Sequence, residues 1–138
     1  MRIWHEGIYG NDDAQEFLDV LVDLFETCET GEEFVSQARN HPDTRFSACQ
    51  LVLADFEADF VGEIEYPQDI LTLIERESSA EVLAHHENPE QRRQVLEGFQ
   101  RSLTRRLARP FYDCLSFSEF PAWLEAKQTA SWLESIER

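Results

Sequence analysis

The sequence predicts an all-α fold, a single-domain bundle of about six to seven helices behind a short non-helical N-terminal segment. Three observations predict it. Apolar residues recur at steps of three and four along most of the chain, which is the mark of amphipathic helices. Only five Gly and five Pro occur in 138 residues, too few for many turns between strands. The chain is 42% apolar and 12% aromatic, enough for a packed core without staples at this length.

Each element follows from its own residues. The first ten, with Gly7 and Gly10, are too short and Gly-broken for a helix, and Ile3-Trp4 and Ile8-Tyr9 are expected to tuck apolar groups against the body. Asn11 or Asp12 caps a long helix carrying Ala14, Phe17, Leu18, Leu21, Leu24, Phe25 and Cys28 as one stripe. Thr30-Gly-Glu-Glu33 is a capping box for a short helix with Phe34, Val35 and Ala38, broken at His41-Pro42. The next helix starts at Asp43 or Thr44, turns Phe46, Cys49, Val52, Leu53, Phe56 and Phe60 inward, and stops near Gly62.

Tyr66-Pro67 opens a fourth helix with Ile70, Leu73 and Ile74. Ser78-Ser-Ala-Glu81 reads as a second capping box, for a short helix through Val82 and Leu83. Asn88-Pro89 caps another, with Val95, Leu96, Phe99, Leu103 and Leu107 inward and Pro110 beyond its end. Phe111 to Leu115 reads as a connector or a brief extended piece. Ser116 or Ser118 begins the last helix, with Phe120, Trp123, Leu124, Leu133 and Ile136 inward.

The formal charge is −16, from 28 acids against 12 bases. Residues 1–87 hold 21 acids and four Arg, a net of −17, whereas residues 88–138 come to +1. The chain therefore reads as one domain over 1–138, with a loop at 1–10, acidic helices over 11–87 and Arg-containing helices over 88–138. Such acidity excludes non-specific binding to nucleic acid or to anionic membrane, since both need a positive surface. No apolar run of about 18 residues is present, so no membrane span is expected. The opening residues contain no apolar stretch resembling a secretory signal, and Cys28, Cys49 and Cys114 are odd in number and widely spaced. Both features point to a reduced, cytoplasmic protein.

The largest functional signal is a stripe of carboxylates. Asp12, Glu16, Asp19, Asp23 and Glu26 follow at steps of four, three, four and three, sharing one face opposite the core stripe. Asp55, Asp59 and Glu63 repeat the pattern at four-residue steps. Like charges so spaced each cost a few tenths of a kcal/mol. The plain reading is a solvated polar face; the sharper one is an interface for a basic protein, which such a field would steer. Arg92, Arg93, Arg101, Arg105, Arg106 and Arg109 form a second feature, expected to face the N-terminal acids from within the fold, with a small anion- or partner-binding patch as the alternative.

Other chemistries have thin support. His85-His86-Glu87 and His5-Glu6 are not spaced as metal ligands, because adjacent helical side chains diverge by about 100°. The two adjacent histidines are expected to complement a helix end instead. No nucleophile elbow or phosphate loop occurs, and the cysteines read as packing groups.

The segment Trp4-His5-Glu6-Gly7-Ile8-Tyr9-Gly10-Asn11-Asp12-Asp13-Ala14-Gln15-Glu16-Phe17 resembles the N-terminal signature W-G-x-G-x-[FY]-x-N-D-x-A-x-[DE]-[FW]. That signature marks small bacterial proteins grouped as domain of unknown function family 4259. His5 stands where the signature has Gly. Ser47 to Ala54, Tyr66-Pro67-Gln68-Asp69 and Ser118 to Glu125 are similar, more loosely, to later segments of that family. As a structural device the motif has Trp4 and Tyr9 plug the bundle, Gly7 allow a tight turn, and Asn11-Asp12 cap the helix. The family implies no activity.

The expectation is a non-enzymatic acidic binding protein without cofactor or metal. Its most concrete form is an immunity protein that neutralises a cognate bacterial toxin, as in toxin-antitoxin pairs. The alternatives are a nucleic-acid mimic or anti-defence inhibitor, and a hydrolase or metal-binding protein centred on His5, Glu6 and Asn11.

Overall fold

The structure is a computed structural model that describes residues 2–110 and 113–130. The described residues form seven α-helices, two 3-10 turns and one isolated antiparallel bridge, Ile3 to Asn11, so the all-α expectation holds.

Helix α1 (Asp12–Thr27) starts where Asn11 predicts: the Asn11 side-chain oxygen accepts the Ala14 N–H at 2.8 Å. Ala14, Phe17, Leu18 and Leu21 are buried, while Leu24, Phe25 and Cys28 are only partly so. In α2 (Gly31–Arg39) the Thr30 hydroxyl accepts the Glu33 N–H at 3.1 Å. The Glu33 carboxylate reaches back to the Glu29 N–H rather than to that of Thr30, one residue upstream of an ordinary capping box.

The third helix begins later than the sequence suggests. Pro42–Arg45 winds as a 3-10 turn, with His41 Nδ1 accepting the Asp43 N–H at 3.1 Å. Phe46 is extended, and α3 runs over Ser47–Phe60. This helix is the hub: it touches α1, α2, α4 and α6 and is buried nearly all round. It ends as expected, with Gly62 at φ 80 and the Val61 and Gly62 N–H groups both returning to the Glu57 carbonyl.

Helix α4 (Pro67–Glu77) buries Ile70, Leu73 and Ile74. The short α5 (Ala80–Leu83) is capped by Ser79, not Ser78, a one-residue shift from the predicted box. Helix α6 (Pro89–Leu107) has Asn88 as its cap and Val95, Leu96, Phe99 and Leu103 in the core. After it, the Leu115 N–H caps the Asp59 carbonyl near the end of α3 at 2.8 Å. Ser116 and Glu119 open a 3-10 turn (Phe117–Glu119) that runs into α7 (Phe120–Thr129). Leu133 and Ile136, expected inward, lie outside the described residues, as do Phe111 and Tyr112.

The core centre is aromatic. Phe56, Phe60 and Phe120 meet one another and Trp123, and Phe34 meets Phe56 and Phe120, with ring centroids 5.1–6.4 Å apart. The N-terminal segment closes one end of this core, though not as the signature suggests. Ile8 and Tyr9 are buried, but Trp4 is 51% exposed and plugs nothing. The tight turn does start at Gly7, whose carbonyl accepts the Gly10 N–H, yet the position that demands glycine is Gly10. A Cβ there would lie 2.3 Å from the His5 carbonyl oxygen.

No described helix is long and apolar enough to cross a membrane.

Candidate partner-binding face

Burying Ala14, Phe17, Leu18 and Leu21 forces the opposite side of α1 outward, and Glu16, Asp19, Asp23 and Glu26 are all exposed. Asp12, half-buried at the first turn, accepts the Arg2 N–H at 3.2 Å. At 1.5 Å of rise per residue the five carboxylates span about 21 Å. None of them makes an ion pair among the described residues. Glu29, Glu32 and Glu33, also exposed, follow in the chain, and residues 12–33 contain no Lys, Arg or His. The last turn of α1 is the least comfortable place for such charge. Asp23 and Glu26 sit near the negative end of the helix dipole, where cations are favoured, and no basic residue is there to offset them.

The second carboxylate row does not join this face, which corrects the sequence reading. Asp55 is buried, and its carboxylate accepts the Tyr9 hydroxyl at 2.5 Å, lies 2.8 Å from Lys127 Nζ and is 2.6 Å from Arg106 Nη1. Asp59 takes Arg106 Nη1 at 2.9 Å and the Trp123 Nε1–H at 2.8 Å. Lys127 is fully buried, with its ammonium 5.5 Å from the Tyr9 ring centroid and 5.3 Å from that of Trp123. One charged network thus ties the N-terminal segment, α3, α6 and α7 together. Burial works against the charge of Arg106, but Asp55 and Asp59 overcome it and hold its pKa above the ordinary arginine value. Glu63 is exposed, but α3 has ended before it, so it shares no helix face with Asp55 and Asp59.

Of the six late arginines expected to face the N-terminal acids, only Arg92 and Arg106 are turned into the fold, while Arg101 and Arg105 are exposed and without ion pairs among the described residues. Arg106 serves α3, Arg93 pairs with Glu90 and Glu97 of its own helix, and Arg109 stands 4.0 Å from Asp59. Arg92 is buried and donates to the Glu6 and Gly7 carbonyls at 3.1 and 3.3 Å. The hydrolase or metal reading placed a site at His5, Glu6 and Asn11. Glu6 is buried there, bonded to His86 Nδ1 at 2.7 Å and to the Asn88 N–H at 3.2 Å, and Asn11 is the α1 cap. His85 is exposed, and His86 turns its ring to Glu6, so its imidazole does not complement a helix end. Among the described residues no three His, Cys, Asp or Glu groups are grouped to hold a metal ion. Burial with Asp13, Asp43 and Glu16 nearby pushes the Cys49 thiol up to about 12, which leaves it a packing group.

Three buried polar ties were not picked out from the sequence: Asp55 with Lys127, Glu57 with Arg39, and Glu6 with Arg92. A signal for the first two was present. Seven of the ten residues Leu51 to Phe60 are apolar, and so apolar a helix is mostly buried, so its acids need buried partners. No family model, curated protein or solved structure matches the chain.

Proposed function

We propose that this protein binds a basic protein through the α1 face of Asp12, Glu16, Asp19, Asp23 and Glu26, most concretely as an immunity protein that neutralises a bacterial toxin in the cytoplasm. One observation carries the reading. Glu16, Asp19, Asp23 and Glu26 are exposed, Asp12 half so, and none has an ion pair among the described residues, while Asp55 and Asp59 of α3 are consumed by Arg106 and Lys127. A one-signed face of this length attracts a cationic surface and speeds encounter. Contact with Lys or Arg would also relieve the repulsion along α1 and the misplaced charge at its last turn.

The test is the triple reversal Asp19→Lys, Asp23→Lys, Glu26→Lys. A partner retained by the parent protein from native-host extract should associate at least about tenfold more slowly with the variant, and the difference should shrink with added salt. Unchanged association would remove the reading. Competition with duplex DNA separates the mimic alternative. A phosphate mimic displaces DNA from several unrelated binders, whereas an immunity protein engages one partner.

A further inference from the structure

A cleft of about 180 Å³ lies between the end of α2, the middle of α3 and the start of α4. For scale, an apolar cavity of about 150 Å³ encloses a benzene ring. Leu53, Ile64 and Ile70 give it apolar walls, and Tyr66, 63% exposed, is among its lining residues. Its charge comes from Glu57, Glu65 and Asp69 against a single Arg39.

The distribution of hydrogen bonds on Glu57 is lopsided. Arg39 Nε and Nη2 both lie 2.7 Å from Oε2, and the Glu65 N–H donates to the same oxygen at 3.1 Å. Oε1 receives nothing among the described residues, although the Glu57 side chain is only 3% exposed. It is not a sealed atom, and Glu57 lines the cleft. A carboxylate oxygen with open lone pairs can accept from a donor that enters beside it. Arg39 brings one positive charge against three acids and divides its donors among Glu57 Oε2, the Glu63 carbonyl and Glu65. The two further carboxylates, Glu65 and Asp69, disfavour an anion.

We propose that this cleft binds a small alkyl cation, an amine or guanidine on a stem of about four or five carbons, with the stem on Leu53, Ile64 and Ile70 and the charged head donating to Glu57 Oε1. The site is separate from the α1 face and does not rest on the reading given above. Burial, opposed by Arg39 and the Glu65 N–H, raises the Glu57 pKa, and a bound cation would lower it again.

The test titrates the full chain with agmatine and with 1,5-diaminopentane, followed by methyl NMR at Ile64 and Ile70 and by calorimetry. 1-Pentanol and pentanoate serve as neutral and anionic controls. Saturable shifts at those methyls with a dissociation constant near about 1 mM are expected, with both controls at least about tenfold weaker. Glu57→Gln should weaken agmatine about tenfold or more. Should that variant fail to fold, Asp69→Asn on the exposed α4 start decides, with an expected loss of about two- to fivefold. The proposal is overturned if the methyls do not respond, if shifts are confined to the α1 carboxylates, if pentanol binds as well as the amines, or if the folded variants bind like the parent.

Discussion

Replacing Asp55 by Ala tests the charged network that joins four parts of the chain. The substitution removes the carboxylate shared by Tyr9, Lys127 and Arg106. Arg106 keeps Asp59, but the fully buried Lys127 loses the only carboxylate that lies near it among the described residues. Breaking a buried ion pair from one side costs about 3–5 kcal/mol, because an uncompensated charge stays inside. For a domain of this size the total stability is about 5–15 kcal/mol. The expected fall in Tm is therefore about 10–15 °C, and the urea midpoint should drop by about 2 M. Far-UV circular dichroism and Trp fluorescence in urea provide the assay, with coincident transitions as the two-state check. Lys127→Met alone should cost less, since Asp55 retains Tyr9 and Arg106. In the double variant the loss should be smaller than the sum of the singles by at least about 1 kcal/mol. An Asp55→Ala protein within about 1 kcal/mol of the parent, or strictly additive singles, would refute the claim that these charges depend on one another.

Neutralising the end of α1 with Asp23→Asn and Glu26→Gln should stabilise the free protein by about 0.3–1 kcal/mol each at low salt, measured as a rise in thermal midpoint. Gly10→Ala should destabilise by about 1–3 kcal/mol in urea, since the new Cβ meets the His5 carbonyl oxygen and backbone must move. Cys49 should resist iodoacetamide at pH 8 in the folded protein and react on unfolding, read by mass spectrometry, because its folded thiol titrates near 12. Burial, with Arg92 adding to it, depresses His86 below the ordinary value of 6.5, and burial likewise depresses His5. The unfolded chain then binds more protons than the folded one below about pH 6.5, so stability is lost as pH falls through the folded values. His86→Gln should flatten that part of the stability profile, as followed by urea melts from pH 7 to 5.

The helices were legible because their determinants are local. Asn11, Thr30, Asn88 and Gly62 are at or near the positions where they end or cap helices, and the three-four spacing of Phe17, Leu18 and Leu21 gives the buried side of α1 correctly. Shifts of one residue, as at Ser79, and the later start of α3 after Pro42 depend on competing caps of similar strength. The acidic row on α1 was legible for the same reason: a face is a matter of period. The fate of Asp55 and Asp59 was not, because it depends on partners 46 to 72 positions away in Tyr9, Arg106 and Lys127. Trp4 failed in the opposite direction. Its size argued for burial, but Tyr9, edge-on to Trp123 at 6.5 Å, occupies the place at the core.

Lys127 is the chain's sole lysine, and it is wholly enclosed. An acylating reagent, a lysine-directed tag or a protease that cuts after lysine therefore has no side-chain target here until the packing around Tyr9 and Trp123 parts. The rate at which that one amine becomes modified is a built-in clock for the opening of the bundle.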